Sequence, residues 1–327
     1  MMLRSKPVLC NYYVTYRCNA SCGFCDIWEK PSPYIKIEDV ESNLADLKKL
    51  GVKIIDFTGG EPLLHRQLPS FLKLAKDQGF ITTVTTNALL YPKMAVQLQG
   101  LVDMLHFSLD HATAALHNES RNVHCFDKVM DSIEVAKGLG ERPDILFTVT
   151  KKSIKEIDEV YNSISKPNGL MLILNPIFSY GQFSVEEDFN SEDLSYLSRF
   201  AKKKGVYLNQ GFVELRKNGG NSINKPVCKA SSTTIVITPE NKLIAPCYHL
   251  GIKEFEISKN LAEVYTSKAF ENLSKLQGRL PACEGCTINC YMQPSFAVNL
   301  NKYWFMALPS TLKYNLTKGT YRQLLQL

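Results

Sequence analysis

The sequence lacks the features of membrane-spanning and secreted proteins. No stretch of its 327 residues approaches the roughly 18 consecutive apolar residues of a membrane span. Residues 1–14 contain neither the apolar segment nor the small-residue cleavage site of a signal peptide. We therefore expect a cytoplasmic protein, whose ten cysteines bind metal or take part in catalysis rather than form disulfides.

Other absences narrow the range of functions. There is no internal repeat and no low-complexity segment, and the six histidines show no metal-ligand spacing. The net charge of +6 is small for a chain of this length, so it suits an anionic small molecule as well as a polyanion. We therefore expect no nucleic-acid partner, and the apolar fraction of 45% is ordinary for a globular protein.

From residue 8 to about residue 210, short apolar segments alternate with segments of helical periodicity. Six such β-then-α units with apolar strands predict a parallel sheet with helices outside it. Six units rather than eight favour an α/β fold of the partial (β/α)6 TIM-barrel type, with a small cysteine-rich extension. The candidate strands are residues 8–14, 52–57, 80–86, 103–109, 144–150 and 170–176.

Two helices have clear boundaries in the sequence. Apolar residues recur with a 3.6-residue period over Ile37–Leu50, and Gly51 supplies the stop. In residues 191–205 we expect Ser191 to cap a helix that has Lys202 to Lys204 in its last turn and Gly205 beyond it.

The composition of the sequence changes at about residue 211, which suggests that the chain has three parts. Residues 1–210 are predicted to form the barrel, and residues 211–295 a linker followed by a cysteine-rich unit. The Gly- and Asn-rich stretch 211–228 is interpreted as that linker. Residues 296–327 form a basic, aromatic tail.

Chemistry-bearing residues follow four successive candidate strands. A cysteine loop follows the first strand, "TGGEP" follows the second, "TTN" ends the third and "SLDH" ends the fourth. Because ligands of such sheets bind at the carboxyl ends of the strands, these four segments predict one site at that edge.

The cysteine loop contains Cys18, Cys22 and Cys25 with the spacing C-x3-C-x2-C. Small or polar residues between the cysteines let the backbone wrap tightly, so that three sulfurs converge. Three thiolates leave one iron of a [4Fe–4S] cluster without a protein ligand, and that iron is then open to a substrate or cofactor. A zinc site completed by a distant ligand, or free structural thiols, are the alternatives.

The loop, with Phe24 just before its third cysteine, resembles the signature of the radical S-adenosylmethionine (radical SAM) superfamily. The resemblance covers roughly residues 8–180 and includes the order of the surrounding motifs. It implies that SAM chelates the open iron and is cleaved reductively to methionine and a 5′-deoxyadenosyl radical. That radical then removes a hydrogen atom from an unactivated C–H bond, and an external donor such as flavodoxin or ferredoxin supplies the electron.

The same resemblance assigns SAM-binding roles to residues at the strand ends. Gly59, Gly60, Glu61 and Pro62 resemble the segment that receives the SAM amino group, where glycines allow close approach and a carboxylate pairs with an ammonium. Ser108 and Asp110 correspond to residues that contact the ribose and methionine portions. Arg121 corresponds to the arginine that pairs with the SAM carboxylate, and Asn87 would face the nucleoside. His111 departs from the pattern, since relatives often have glycine there.

A second cysteine group follows in the C-terminal part. Cys228 and Cys247 flank a predicted hairpin whose turn is Pro239–Asn241, and "CEGCTINC" supplies Cys283, Cys286 and Cys290. With the connecting helix of residues 261–273, the arrangement resembles the SPASM/twitch extension of radical SAM enzymes, although Asn241 replaces a usual glycine. The resemblance implies one auxiliary [4Fe–4S] cluster on Cys228, Cys247, Cys283 and Cys286, with Cys290 spare or exchanging roles with Cys286. A structural zinc ribbon is the alternative.

The tail raises three alternatives. From Gly285 to Leu327 there is no Asp or Glu, and basic residues alternate with aromatics: Lys302, Lys313, Lys318, Arg322, Phe296, Tyr303, Trp304, Phe305, Tyr314 and Tyr321. Such a segment can make a peripheral membrane contact, cover the open edge of the barrel, or bind an anionic substrate.

These motifs are compatible with more than one class of substrate. We expect oxidation or another modification of a small molecule or lipid. A peptide-maturing radical SAM/SPASM enzyme is one alternative, which the absence of a leader-binding domain before the barrel disfavours. A non-catalytic iron–sulfur or zinc-binding module is the alternative of another class.

Overall fold

The computed structural model describes residues 6–179, 188–258 and 260–320. Its strands are β1 Leu9–Thr15, β2 Ile54–Gly59, β3 Ile81–Thr86, β4 Met104–Ser108, β5 Asp144–Val149, β6 Leu172–Pro176, β7 Val206–Tyr207, β8 Thr234–Ile237, β9 Lys242–Ala245 and β10 Lys253–Glu256. The helices before the extension are α1 Ile37–Leu50, α2 Leu68–Asp77, α3 Tyr91–Leu98, α4 Ala114–Arg121, α5 Phe126–Gly138, α6 Ile157–Val160, α7 Ser191–Phe200 and α8 Gln210–Lys217. Those of the extension and tail are α9 Ala230–Thr233, α10 Leu261–Thr266, α11 Lys268–Ser274, α12 Asn289–Ala297 and α13 Lys302–Lys318.

The strands form one open sheet in the order β10-β9-β8-β1-β2-β3-β4-β5-β6-β7. Strands β1 to β7 are parallel, and the sheet does not close on itself, which confirms the partial barrel. The two-residue strand β7 was not predicted, because so short a segment carries no periodicity. β8 pairs in parallel with β1, so the cysteine-rich extension continues the barrel sheet.

Alternation along the strands separates an apolar outer face from a more polar interior. The outward residues Tyr12, Phe57, Val84, Phe107 and Phe147 are fully buried beneath the surrounding helices. Their neighbours in sequence point inward, and several of these are polar. The core therefore lies between sheet and helices and leaves the interior of the barrel for polar groups.

The sequence predicts the end of α1 correctly but misplaces both ends of α7. Gly51 does end α1, with φ of 94°, as predicted. Ser191, however, is not the cap of α7: Asn190 Oδ1 accepts from the N–H groups of Glu192 and Asp193, each at 2.9 Å. In turn, Asp193 Oδ2 accepts a hydrogen bond from the Asn190 N–H at 2.8 Å, which completes a capping box. α7 then ends at Phe200, before the lysines expected in its last turn.

The segment interpreted as a linker begins with a helix instead. Helix α8 buries Phe212, Val213 and Leu215, and Asn209 caps its start. Gly211 lets α13 approach closely, since a Cβ there would lie 2.3 Å from the carbonyl oxygen of Tyr303. Burial of this apolar face outweighs the Gly- and Asn-rich composition. The connecting helix expected over residues 261–273 is likewise two helices, α10 and α11, because Ser267 ends the first and caps the second.

The described part of the tail covers the barrel at the amino ends of its strands. The hydroxyl of Tyr314 donates to Asp144 Oδ2 at 2.9 Å, and Lys318 Nζ lies 2.9 Å from Asp144 Oδ1. Lys313 donates to the carbonyl oxygens of Lys203 and Val206. The tail thus docks on the protein itself; Tyr321 and Arg322 lie outside the described residues. Among the helices that the structure describes, none is both long and apolar enough to span a bilayer.

Candidate active site

The predicted site residues gather at the rim, the edge formed by the carboxyl ends of β1 to β5. The cysteine loop follows β1, Glu61 and Pro62 follow β2, and Asn87 follows β3. Ser108 is the last residue of β4, Asp110 lies just beyond it, and Arg121 ends α4. Parallel topology brings these segments to one side of the sheet, as the sequence predicts.

The two glycines at the end of β2 lie directly against the start of the cysteine loop. A Cβ on Gly59 would lie 2.0 Å from the carbonyl oxygen of Thr15, and one on Gly60 would lie 2.3 Å from that of Arg17. The N–H groups of Gly60 and Glu61 donate to those same carbonyl oxygens, at 2.9 and 2.8 Å. The glycines therefore fix the height of the loop above the rim, a role that the motif alone did not reveal.

Glu61 is buried and held by three donors. Its Oε1 accepts from the Leu63 N–H at 2.9 Å and from the Thr86 hydroxyl at 2.8 Å, and its Oε2 accepts from the Asn87 N–H at 2.8 Å. Burial raises the pKa of Glu61 to about 7, against the lowering effect of these hydrogen bonds. A carboxylate has about four acceptor positions, so one remains for a further donor.

Two asparagine side chains tie the cysteine loop to the rim. Asn87 Nδ2 donates to Asn19 Oδ1 at 2.7 Å, and Asn122 Nδ2 donates to Ser21 Oγ at 2.8 Å. Asn122 adopts the left-handed conformation, with φ of 50°, that ends α4 next to Arg121. Sequence reasoning missed Asn122, because nothing in its local pattern distinguishes it from an ordinary helix cap.

Arg121 lies close to three other predicted site residues: Asp110, Cys22 and Phe24. Its Nε and Nη2 contact Asp110 Oδ2 at 2.7 and 2.6 Å, and its Nη1 lies 3.9 Å from Cys22 Sγ. The guanidinium group also lies 5.0 Å from the centroid of the Phe24 ring. Asp110 Oδ1 accepts from the Thr148 N–H at 2.8 Å, which fixes the carboxylate that holds the arginine.

Two of the loop thiols, those of Cys18 and Cys25, are partly buried. Burial raises the pKa of Cys18 to about 12 and raises the pKa of Cys25 above its ordinary value. Thiols of this kind are deprotonated when they ligate a metal. Across the described ranges 6–179, 188–258 and 260–320, no three His, Cys, Asp or Glu side chains are grouped so as to hold a single metal ion.

Four of the C-terminal cysteines line one cavity of about 400 Å³: Cys228, Cys247, Cys283 and Cys286. Burial raises the pKa of Cys247 to about 12 and that of Cys286 to about 11. Cys290 lines a different cavity, inside the barrel, and its Sγ lies 3.9 Å from His249 Nε2.

Asn221 joins the segments that carry these cysteines. Its Oδ1 accepts from the N–H groups of Val227 and Cys228, and its Nδ2 donates to the carbonyl oxygens of Gly278 and Cys283. Its own N–H donates to the carbonyl oxygen of Cys286 at 3.0 Å. Asn221 is buried, and it lies in the stretch interpreted as a linker, so its role was missed.

The barrel cavity, of about 710 Å³, lies inside the sheet beneath the rim. Its lining includes inward-facing strand residues, among them Asn11, Asp56, Thr83, Thr85, His106 and Asn175. Helices α12 and α13 contribute Gln293, Phe296, Trp304 and Tyr314. His106 precedes the predicted SAM-binding residue Ser108 by two positions on the same face of β4. Thr85 lies near the end of β3, two positions before Asn87, which follows the strand.

Comparison with known proteins identifies the family. Residues 12–164 match the sequence model of the radical SAM superfamily. These residues, just under half of the chain, form a radical SAM domain. The match covers the cysteine loop, the other three strand-end motifs and Arg121, and it confirms the resemblance drawn from them.

Curated relatives of this radical SAM protein are enzymes. Over 284 residues it is 28% identical to a protein named "Probable GTP 3′,8-cyclase" of Sulfolobus acidocaldarius, covering 82% of this chain and 89% of that protein. Over 195 residues it is 24% identical to the Fe-coproporphyrin III synthase of Methanosarcina barkeri, covering 58% of this chain and 49% of that protein. The chain is a radical SAM enzyme.

Solved structures confirm the fold. SuiB of Streptococcus suis, bound to S-adenosylmethionine, aligns with a TM-score of 0.68 at 18% identity, over 91% of this chain and 76% of SuiB. The protein anSMEcpe with bound AdoMet aligns with a TM-score of 0.65 at 17% identity, over 97% of this chain and 95% of that protein. The fold likeness therefore extends beyond the barrel into the cysteine-rich extension.

The close glycine contact generates a prediction. Gly60→Ala places a Cβ against the backbone of Arg17, so we expect the cysteine loop to shift and the free energy of unfolding to fall by about 1–3 kcal/mol. Gly23→Ala is the matched control, because a Cβ at Gly23 meets nothing within 4 Å. Urea unfolding of both variants checks this, and equal stability of the two variants would contradict it.

Proposed function

We propose that Cys18, Cys22 and Cys25 hold a [4Fe–4S] cluster whose open iron binds SAM, and that the enzyme abstracts a hydrogen atom from an unactivated C–H bond of its substrate. One observation carries this proposal: the cysteine loop is fixed by backbone and side-chain hydrogen bonds to the rim that holds Glu61 and Arg121. The cluster, when bound, supplies the electron that cleaves SAM to methionine and a 5′-deoxyadenosyl radical.

The residues present fit such a group. Three soft thiols lie within one short loop, and thiolate is the ligand that iron–sulfur clusters use. Burial raises the pKa of Cys18 and of Cys25, so these two thiols lose their protons when they bind the cluster. Arg121 near Cys22 adds positive charge beside the thiolates. An external electron donor such as flavodoxin or ferredoxin, and a cytoplasmic location, follow from this chemistry and belong to the same proposal.

Both ends of the methionine portion of SAM have a partner at the rim. The free acceptor position of Glu61 suits the amino group, which would then lie near Gly60 and Pro62. Arg121 retains N–H donors beyond its contact with Asp110, and these suit the carboxylate. Asp110 therefore acts by holding Arg121, with Phe24 packed against its guanidinium group.

The nucleoside portion would lie along the ends of β3 and β4. Asn87 already donates to Asn19, so its role is to join the loop to the nucleoside side of the site. Ser108, buried at the end of β4, has a hydroxyl that suits the ribose. Gly59 contributes through the close backbone contact rather than by touching SAM.

A second [4Fe–4S] cluster is part of the proposal. Cys228, Cys247, Cys283 and Cys286 surround one cavity, and four thiolates leave no iron open. A structural zinc ion would use the same four thiolates, and the iron content of the reconstituted enzyme separates the two. The extension therefore suits a cluster that passes electrons or supports the fold, with Cys290 outside its ligand set.

SAM cleavage is the first test. Anaerobically reconstituted enzyme with SAM and dithionite is expected to form 5′-deoxyadenosine, and Cys22→Ala is expected to abolish it because the cluster loses a ligand. Cys10→Ala is the matched control, since Cys10 is buried in β1 away from the rim. Chromatography of the product measures both, and wild-type enzyme that forms none would contradict the proposal.

Iron content tests the auxiliary ligand set. We expect about eight irons per chain in the reconstituted enzyme, about four after Cys286→Ala and about eight after Cys290→Ala. The difference arises because only Cys286 lines the four-cysteine cavity. Loss of iron after Cys290→Ala but not after Cys286→Ala would reverse the assignment.

A further inference from the structure

The barrel cavity has the position and size of a substrate site. Its volume of about 710 Å³ lies in the range of small-molecule pockets. His106, which lines it, lies two residues before Ser108 on the same face of β4, and this spacing spans about 7 Å. A molecule in the cavity would therefore lie directly beneath the proposed SAM site.

Few of the described residues that line this cavity are ionisable. Among the described residues that line it there is no Lys and no Arg, and Asp56 is the only carboxylate. Burial lowers the pKa of His106, so the one lining histidine is neutral at pH 7. The described lining thus carries one negative charge and no positive charge.

Within the part of the chain that the structure describes, no cationic side chain pairs with Asp56. Its Oδ1 accepts from the Thr83 hydroxyl at 2.7 Å, and no ion pair among the described residues includes it. The side chain lies deep in the barrel yet retains some exposure, because it faces the cavity. Burial raises the pKa of Asp56 to about 6, which a bound cation would counteract.

The remaining lining suits an apolar body with a few hydrogen-bonding groups. Side chains of Phe178, Phe296 and Trp304 supply apolar surface, while Asn11, Asn175 and Gln293 supply amide donors and acceptors. Among these described lining residues a phosphate group would find no cationic side chain to neutralise it, and it would face the Asp56 carboxylate.

We propose that the substrate is a small molecule with an amino group that binds Asp56 as an ammonium, an apolar body, and no phosphate. This inference rests on the proposed function, since it names the substrate class of the same site. It separates this enzyme from the relatives named as GTP cyclases, whose named substrate carries three phosphates.

Equilibrium dialysis tests the inference with two probes of the same shape and opposite charge. Reconstituted enzyme with SAM and no reductant is dialysed against 2-phenylethylamine or phenylacetate, and retained probe is measured by mass spectrometry. We expect the amine to be retained about tenfold more strongly, because a desolvated carboxylate binds an ammonium by charge-assisted hydrogen bonds. Retention of the amine that is no greater than that of phenylacetate overturns the proposal, as does displacement of the amine by GTP.

Two variants isolate the role of Asp56. Asp56→Asn keeps the shape and removes the charge, so we expect it to lose about tenfold in amine retention. Asp77→Asn is the matched control, because Asp77 is an exposed carboxylate paired with Lys73 far from the cavity. Circular dichroism and iron content establish that both variants fold, and unchanged retention in Asp56→Asn overturns the proposal.

This experiment is independent of the test of SAM cleavage. Probe retention needs no reductant, and formation of 5′-deoxyadenosine needs no amine. An enzyme that cleaves SAM but does not prefer the amine would refute only the substrate class. An enzyme that prefers the amine but does not cleave SAM would refute only the proposed function.

Discussion

Two backbone segments pass each other at the end of β2 more closely than any side chain would allow. Gly59 and Gly60 lie against the carbonyl oxygens of Thr15 and Arg17, and two hydrogen bonds join the segments there. The cysteine loop starts from this contact, so its position above the rim is set by backbone packing rather than by flexible side chains. Glu61 and Arg121 then meet the loop in a fixed geometry, as a preorganised site requires.

The extension is attached to the same loop. β8 pairs with β1, and the ring of Tyr13 on β1 stacks on that of Tyr248 with centroids 4.5 Å apart. Lys30, just after the cysteine loop, donates to the Tyr248 hydroxyl at 2.8 Å, and Tyr248 follows Cys247 directly. These contacts hold the two cysteine groups in a fixed relation, which suits electron transfer between the proposed clusters.

Periodicity and motif order predicted the parallel sheet, the open barrel and the gathering of strand ends at one rim, because alternation and parallel topology are local and regular. They did not predict Asn221 or Asp56. Asn221 acts through backbone groups of three distant segments. Asp56 faces a cavity that exists only once the tail helix α13 has closed the barrel, and no local pattern shows this. The helix within the expected linker was missed for a similar reason: α8 is stabilised by burial against α13, which local composition does not record.

The most direct measurement of the central claim is the EPR spectrum of the reduced loop cluster with and without SAM. A variant with Cys228→Ala and Cys247→Ala removes two auxiliary ligands and leaves the loop cluster to be observed alone. The account predicts that SAM changes the g values and line shape, because its amino and carboxylate groups bind the open iron. A spectrum that SAM leaves unchanged would contradict the account.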